Sequence, residues 1–209
     1  MSALNNAGDT VKLEDALNGT IAEFRYNDLA PWPEEADGLG NSMVLIAPET
    51  SPDPDDPASW RASLLPDGNP NATDALPLPV NPLGDADGNG ITDLLDYAFG
   101  NGLGAGSLQA AFTLQDYDIE GQILSLPTLT YPVSIAADGA TIEVDYYNDL
   151  QSWQPAGAEA VVVSVVNLGD GRALTTVRLT PAGGLGERFF SRLRVPAPVC
   201  DSFRTIHFE

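Results

Sequence analysis

Short segments in which apolar and polar residues alternate recur along most of the chain, and they constrain its fold more than any other feature. Near the start they read TVKL, TIAEFRY and SMVLI, and beyond residue 105 they read AAFTLQ, QILSLPTLTY, ATIEVDYY, EAVVVSVV, ALTTVRLT and RFFSRLRV. A period of two places successive side chains on opposite faces of a strand. Many such strands, joined by turns such as ADGA and LGDG, are typical of antiparallel sandwiches, so the sequence predicts an all-β protein.

The first alternating segments predict a hairpin followed by one further strand. Residues 10–13 and 20–26 flank Asn18 and Gly19, a pair that accepts the positive φ angles of a tight primed turn. Residues 42–46 are predicted as a third strand. So few strands make half a sandwich at most, which leaves one face and one edge of the sheet without a partner.

Proline, aspartate, asparagine and serine dominate residues 47–83. Such a composition buries too little apolar surface to offset the entropy of ordering, so we expect an extended, polyproline-like linker. We place this linker at residues 63–84, between a first unit at residues 1–62 and a second antiparallel β-sandwich at residues 105–196. Trp60 is the exception, and we expect its ring to pack back onto the first unit.

The segment DADGNGITDLLDYAFG, at residues 85–100, is the clearest chemical signal in the chain. Calcium takes roughly six to eight oxygen ligands, which short side chains on alternate residues of a tight loop can supply. The candidate ligands occupy the first, third, fifth, seventh, ninth and twelfth positions of this loop: Asp85, Asp87, Asn89, the backbone carbonyl of Ile91, Asp93 and Asp96. Gly90 at the sixth position permits the sharp bend. We therefore predict a Ca2+ site in an EF-hand-like loop, followed by a short helix, within residues 85–104.

The competing interpretation of this segment is a turn whose acidic side chains point into solvent, with Asp93 favouring the start of the helix. Clustered carboxylates repel each other unless a cation neutralises them, which favours the metal site. Thr92 and Asp96 stand where a standard EF-hand loop has an aliphatic residue and a glutamate. The shorter Asp96 predicts weak binding, with a dissociation constant of about 10⁻⁴ to 10⁻³ M, and a structural role rather than a sensor.

Charge and composition exclude several classes of partner. Thirty acidic and nine basic residues give a formal charge of -21, so nucleic acid and anionic membrane surfaces are poor partners. No apolar run approaches the roughly 20 residues that span a bilayer, so we predict no membrane span. Cys200 is the single cysteine and His207 the single histidine. Both lie in a predicted tail at residues 197–209, so neither a disulfide nor a thiol nucleophile is expected.

Three motifs in the first 62 residues carry a resemblance to a known family. They are GDTV at residues 8–11, YNDLAPWP at residues 26–33 and ADGLGNS at residues 36–42. In these motifs the chain resembles the C-terminal half of a lamin-tail domain, which implies a partial immunoglobulin-like sandwich at residues 1–62. Because the preceding strands of that sandwich are absent, we expect a fragment of a larger protein, with its signal peptide upstream of residue 1.

The acidic loop and the segments beyond it carry a second resemblance. The loop and helix at residues 85–100 resemble a segment that precedes the C-terminal module of many large secreted or surface proteins of Verrucomicrobia and Planctomycetes. Asp149, Leu150 and Trp153 match a turn of that module, and RFFSRLRV matches its closing strand. The resemblance implies that residues 105–196 form such a module and that the protein is extracellular or attached to the cell surface.

These observations favour a non-catalytic, calcium-stabilised adhesion, attachment or accessory region of a secreted bacterial protein. Its expected partners are a calcium ion and a polysaccharide or protein at the cell surface or outside the cell. The sequence contains no nucleophile elbow, phosphate-binding loop or histidine metal motif, so we do not predict an enzyme.

The alternative function is a carbohydrate-binding module of an extracellular hydrolase. Aromatic side chains in an exposed, coplanar row stack on sugar rings, although aromatic residues of sandwiches more often belong to the core. The candidates for such a row are Trp32, Trp60, Tyr146, Tyr147 and Trp153.

Overall fold

The computed structural model describes residues 5, 7–29, 31–69, 72–100, 110–147, 153–182 and 189–197. Within them the chain forms eleven strands in four antiparallel sheets and one α-helix, which confirms the predicted all-β class. No helix among these residues is both long and apolar enough to cross a membrane. Asp149, Leu150, Cys200 and His207 lie outside the described residues.

The strands and helices have the following bounds. The strands are β1 Asp9–Glu14, β2 Thr20–Tyr26, β3 Asn41–Leu45, β4 Trp60–Pro66, β5 Ala111–Ile119, β6 Gln122–Ser134, β7 Glu143–Tyr147, β8 Gln154–Pro155, β9 Ala160–Asn167, β10 Arg172–Leu179 and β11 Phe190–Arg194. The α-helix, α1, is Asp93–Phe99, and 3₁₀ turns occur at Glu34–Ala36, Pro48–Thr50, Pro57–Ser59 and Gly157–Glu159.

β1 and β2 form the predicted hairpin, but the predicted tight primed turn is wrong. The last pair of the register joins Glu14 to Thr20, so a longer loop separates the strands. Asn18 has the expected positive φ of 64°. The carboxylate of Asp15 accepts hydrogen bonds from the backbone N–H groups of Leu17 and Gly19, each at 2.8 Å, and thereby stabilises the wider loop.

A second hairpin joins β3 to β4, and the sequence analysis missed β4. Its Ala62 and Ser63 are buried on adjacent positions, so β4 lacks the apolar–polar alternation that marks a half-buried strand. Trp60 packs on the first hairpin as predicted. Its ring lies 4.9 Å from that of Phe24, and its indole N–H donates to the carbonyl of Pro54 at 2.9 Å.

The C-terminal strands form a sandwich of two sheets that share one hydrophobic core. One sheet has the order β5–β6–β10–β9 and the other has the order β11–β7–β8. α1 completes the core between them. The buried core residues come from the helix and from both sheets: Ala98, Phe99, Leu129, Tyr131, Val144, Ala156, Val177 and Leu179. The predicted β-sandwich with a helix packed against it is therefore present.

The proline-rich segment is extended, and it contacts both parts of the chain. Within the linker predicted at residues 63–84, residues 63–66 belong to β4, whereas residues 72–84 contain neither helix nor strand. The backbone N–H of Leu76 donates to the carbonyl of Ala136 at 2.8 Å. This hydrogen bond joins the segment to the loop that follows β6.

A buried ionic cluster also holds this segment in place. Arg61 of β4 contacts Asp74 of the extended segment and Asp138 of the β6–β7 loop, each at 2.6 Å, and its side chain is 7% exposed. Burial alone would raise the pKa of Asp74, but hydrogen bonds from Arg61 and from the N–H of Leu64 outweigh burial and lower this pKa. The cluster therefore stabilises the contact between β4, the extended segment and the sandwich.

Candidate metal centre

α1 fixes the end of the acidic loop against the sandwich. Leu94 is 3% exposed, and Ala98 and Phe99 belong to the core. The helix ends at Gly100, whose φ of 74° is left-handed and whose N–H donates to the carbonyl of Asp96. A glycine adopts this conformation without strain. Since the helix is anchored by its apolar side chains, Asp96 has a fixed position beside the loop.

The first half of the loop is organised by carboxylates that accept backbone N–H groups. Asp85 accepts from Asn89 at 3.0 Å and from Gly90 at 2.9 Å, and Asp87 accepts from Asn89 at 3.1 Å. Gly90 has a φ of 86°, which provides the bend predicted at the sixth position. These contacts tie both carboxylates to the backbone of the turn.

The second half of the loop closes on the start of α1. Asp93 accepts a hydrogen bond from the backbone N–H of Ala86 at 2.8 Å, and its own N–H donates to the carbonyl of Gly84 at 2.8 Å. Asp93 therefore connects the two ends of the loop.

Asp96 is the most unusual group of the loop. Its side chain is 6% exposed, and its Oδ1 is buried and has no hydrogen-bond partner among the described residues. Desolvation raises its pKa, the carboxylates of Asp87, Asp85 and Asp93 raise the pKa further, and only a hydrogen bond from Asn89 opposes them. A buried, partly unsatisfied carboxylate among other carboxylates is costly unless a cation compensates it.

The amide of Asn89 joins the acidic side chains to one another. Its Nδ2 donates to Asp87 at 2.9 Å and to Oδ2 of Asp96 at 3.1 Å, while its Oδ1 accepts from the N–H of Ile91 at 2.7 Å. The amide NH₂ group of Asn89 therefore places its partial positive charge between the carboxylates of Asp87 and Asp96.

The structure brings the predicted loop ligands into one network of hydrogen bonds. Asp85 and Asp87 are exposed, Asn89, Ile91 and Asp93 are half-buried, and Asp96 is buried. In this arrangement no group of three or more Asp, Glu, His or Cys side chains in the described ranges is placed to hold a metal ion. The carboxylates accept N–H groups and the amide of Asn89 instead of converging on one point.

A cleft of about 650 Å³ lies beside this network, and we call it the loop cleft. Its lining includes Asp87, Asp93 and Asp96 of the network, together with Asp170 and Arg172. The guanidinium of Arg172 binds the carboxylate of Asp170 through Nη2 at 2.5 Å and Nε at 3.0 Å. Sequence analysis missed this pair because more than seventy residues separate it from the loop, and no local motif marks it.

The aromatic residues considered for sugar stacking do not lie free on the surface. Trp32 is 8% exposed, and Trp60, Tyr146, Tyr147 and Trp153 are half-buried. Tyr146 stacks on Phe189 at 5.4 Å, and its hydroxyl donates to Glu159 at 2.5 Å.

The ring of Trp153 is covered as well. The guanidinium of Arg192 lies 4.5 Å from its centre and also contacts the buried Asp145 at 2.9 Å. An aromatic platform for a sugar is therefore not supported by these five residues.

Comparison of the chain with models of known protein families, with curated proteins and with solved structures gave no match.

Proposed function

We propose that this chain is a non-catalytic, calcium-stabilised attachment region of a secreted bacterial protein, located outside the cell or at the cell surface. The observation that carries the proposal is the buried Oδ1 of Asp96, which has no hydrogen-bond partner among the described residues and lies in a loop of further carboxylates. A hard cation supplies the missing counter-charge in a way that no N–H group of the loop does.

The chemistry of the donor set fits calcium. Carboxylate and amide oxygens are the ligands that calcium takes in proteins, and the loop offers them in the side chains of Asp85, Asp87, Asn89, Asp93 and Asp96, with the backbone carbonyl of Ile91 in addition. Two carboxylates about 4 Å apart repel by about 1 kcal/mol in bulk water and by about 4 kcal/mol near a protein surface. A bound ion would stabilise the loop because it neutralises this repulsion.

Calcium binding would stabilise more than the loop itself. Asp96 is a residue of α1, and the same helix buries Ala98 and Phe99 in the sandwich core. The hydroxyl of Tyr97 accepts the N–H of Gly139 at 3.1 Å and donates to the carbonyl of Leu76 at 3.0 Å. An ion that fixes the helix therefore also fixes the extended segment on the sandwich.

Mass action sets the size of this effect. With a dissociation constant of about 10⁻⁴ to 10⁻³ M, calcium at about 10 mM stabilises the folded state by about 1.4 to 2.7 kcal/mol. Stabilisation of this size suits an extracellular module, since calcium there is constant enough to act as a structural component rather than as a signal.

The attachment role is supported by charge and by the resemblance described above. A formal charge of -21 disfavours nucleic acid and anionic membranes, and it leaves polysaccharides and proteins as partners. The segment at residues 85–100 resembles one found before the C-terminal module of secreted and surface proteins, and this resemblance supports the same setting for this chain.

Limited proteolysis tests the structural role of the ion. Chelator-treated protein is digested with and without about 10 mM CaCl₂, a concentration that saturates an extracellular-type site, and cleavage sites are mapped by mass spectrometry. We expect calcium to suppress cleavage within residues 84–100, while cleavage at the exposed β1–β2 loop stays unchanged and serves as the internal control. Equal cleavage of the acidic loop in both conditions would contradict the proposal.

A further inference from the structure

We infer that a cavity between residues 31–62 and the sandwich binds a small organic amine with a hydrocarbon body. The cavity has a volume of about 590 Å³, and small-molecule sites in proteins measure about 300 to 1,000 Å³. We call it the interface cavity. The proposed calcium ligands are not among the residues that line it, so this inference stands apart from the calcium site and goes beyond the proposed function.

The wall of the interface cavity is mainly hydrocarbon. Its apolar residues come from both parts of the chain and include Pro33, Ile46, Trp60, Val133, Ile142 and Val165. The indole N–H of Trp60 already donates to the carbonyl of Pro54 at 2.9 Å, so this side chain presents apolar ring atoms to the cavity. An apolar ligand gains about fourfold in affinity for each methylene group that such a wall removes from water.

One buried carboxylate, that of Glu35, interrupts this apolar wall. Glu35 belongs to the 3₁₀ turn Glu34–Ala36 and lines the cavity. It is only 6% exposed, whereas its neighbour Glu34 is exposed. The N–H of Ala36 donates to the carbonyl of the buried Pro33 at 3.2 Å. The turn therefore gives Glu35 a fixed place in the cavity wall.

Glu35 has no cationic partner in the described part of the chain. Neither an ion pair nor a side-chain hydrogen bond joins it to another described residue. Arg61 also lines the cavity, but its guanidinium is held by Asp74 and Asp138, each at 2.6 Å. A carboxylate with apolar neighbours gains most from a ligand that brings a positive charge to it.

The charge and the donor set of the cavity select an organic cation. The lining carries three carboxylates, those of Glu35, Asp56 and Asp138, against the guanidinium of Arg61. The chain as a whole has a formal charge of -21, so an anionic ligand is repelled. A hard metal ion takes roughly six oxygen ligands or more, which a mainly apolar wall does not offer. An ammonium group pairs with a single carboxylate, and a hydrocarbon body matches the remaining wall.

The test is a titration of the ¹⁵N-labelled full chain with four probes, followed by amide chemical shifts in EGTA and about 0.15 M salt. The probes are hexylamine, butylamine, hexanol and hexanoate. We expect hexylamine to bind about tenfold more tightly than butylamine, because it buries two more methylene groups. It should also bind about tenfold more tightly than hexanol, because only the amine is charged. No binding of hexylamine, or equal binding of hexanoate, would overturn the inference.

A charge-removing variant tests the role of Glu35. Glu35→Gln keeps the size of the side chain, so we expect hexylamine affinity to fall about tenfold to the level of hexanol. Unchanged hexanol affinity in this variant shows that the cavity is intact. Glu34→Gln makes the same charge change on the adjacent exposed residue and should bind hexylamine like wild type. Wild-type hexylamine affinity in Glu35→Gln would show that Glu35 is not the counter-ion and would overturn the inference.

A second pair of variants locates the ligand in the interface cavity. Val165 of β9 lines the cavity, whereas the adjacent Val166 is 52% exposed and does not. Neighbouring residues of a strand point to opposite faces, so Val165→Phe fills the cavity and Val166→Phe is its matched control. We expect only Val165→Phe to weaken both hexylamine and hexanol, and the amide spectrum shows that each variant is folded. Wild-type affinity for both probes in folded Val165→Phe would place the ligand elsewhere and refute this site.

Discussion

Replacing Asp96 with asparagine is expected to change the stability of the protein in opposite directions with and without calcium. Asp96 is 6% exposed, its Oδ1 lacks a partner among the described residues, and desolvation together with the neighbouring carboxylates raises its pKa. Asn keeps the size of the side chain and removes its charge. The substitution therefore relieves repulsion when no ion is bound and removes a ligand when calcium is present.

The magnitude follows from the burial of this group. An unsatisfied buried acceptor costs about 1 to 3 kcal/mol, and more when it is charged, so we expect Asp96→Asn to stabilise the chelated protein by about 1 kcal/mol. For a chain of this size that corresponds to a thermal midpoint about 2 to 4 °C higher. Wild type gains about 1.4 to 2.7 kcal/mol from about 10 mM calcium, and the variant should lose most of this gain.

Differential scanning calorimetry in EGTA and in CaCl₂ measures both effects. Asp116→Asn is the matched control, since Asp116 is an exposed carboxylate on β5, and it should show wild-type behaviour in both buffers. If Asp96→Asn destabilises the chelated protein, the carboxylate is not a strained group. If it leaves the calcium response intact, Asp96 is not a ligand.

Three further predictions concern the ionic cluster and the loop. Arg61→Met leaves the carboxylates of Asp74 and Asp138 without their partner and should cost about 3 to 5 kcal/mol in urea unfolding; a loss below 1 kcal/mol would show that the cluster is not structural. The lowered pKa of Asp74 contributes stability that is complete above its unfolded pKa of about 3.9 and is lost as pH falls through its folded pKa. In Asp74→Asn the free energy of unfolding should therefore fall less steeply as the pH is lowered, and an unchanged pH dependence would exclude this role. Gly90→Ala forces a φ of 86° on a residue with a Cβ, which costs about 1 to 2 kcal/mol, so calcium affinity measured by calorimetry should fall by about tenfold, and wild-type affinity would show that the bend is not needed.

The sequence was sufficient for elements whose signal is local. Alternation located the C-terminal strands except the two-residue β8, and the apolar spacing before Gly100 located α1, because the period of the apolar residues directly sets which side chains face a core. β4 was missed since its buried positions, Arg61, Ala62 and Ser63, are consecutive rather than alternating and include a charged side chain. The loop after β1 was misjudged because a side chain, that of Asp15, stabilises a wider turn than the Asn–Gly pair alone implies.

The candidate site was predictable only in part. The spacing of oxygen-bearing residues from Asp85 to Asp96 is a local pattern, so all predicted ligands could be named before the structure was known. The burial of Asp96 and the presence of Arg172 in the loop cleft depend on how α1 and β10 pack together. Such tertiary contacts join residues that are distant in the chain, and a single sequence carries no local signal for them. The immunoglobulin-like character of the first unit remains a prediction.

Isothermal titration of calcium into chelator-stripped protein tests the central claim most directly. We expect saturable binding with a stoichiometry near one and a dissociation constant of about 10⁻⁴ to 10⁻³ M. The double substitution Asp87→Ala/Asp93→Ala should abolish the heat, while Asp116→Asn should leave it unchanged. No heat from the wild-type protein, together with no shift of its thermal midpoint in millimolar calcium, would contradict the account and leave the acidic loop as a turn into a helix.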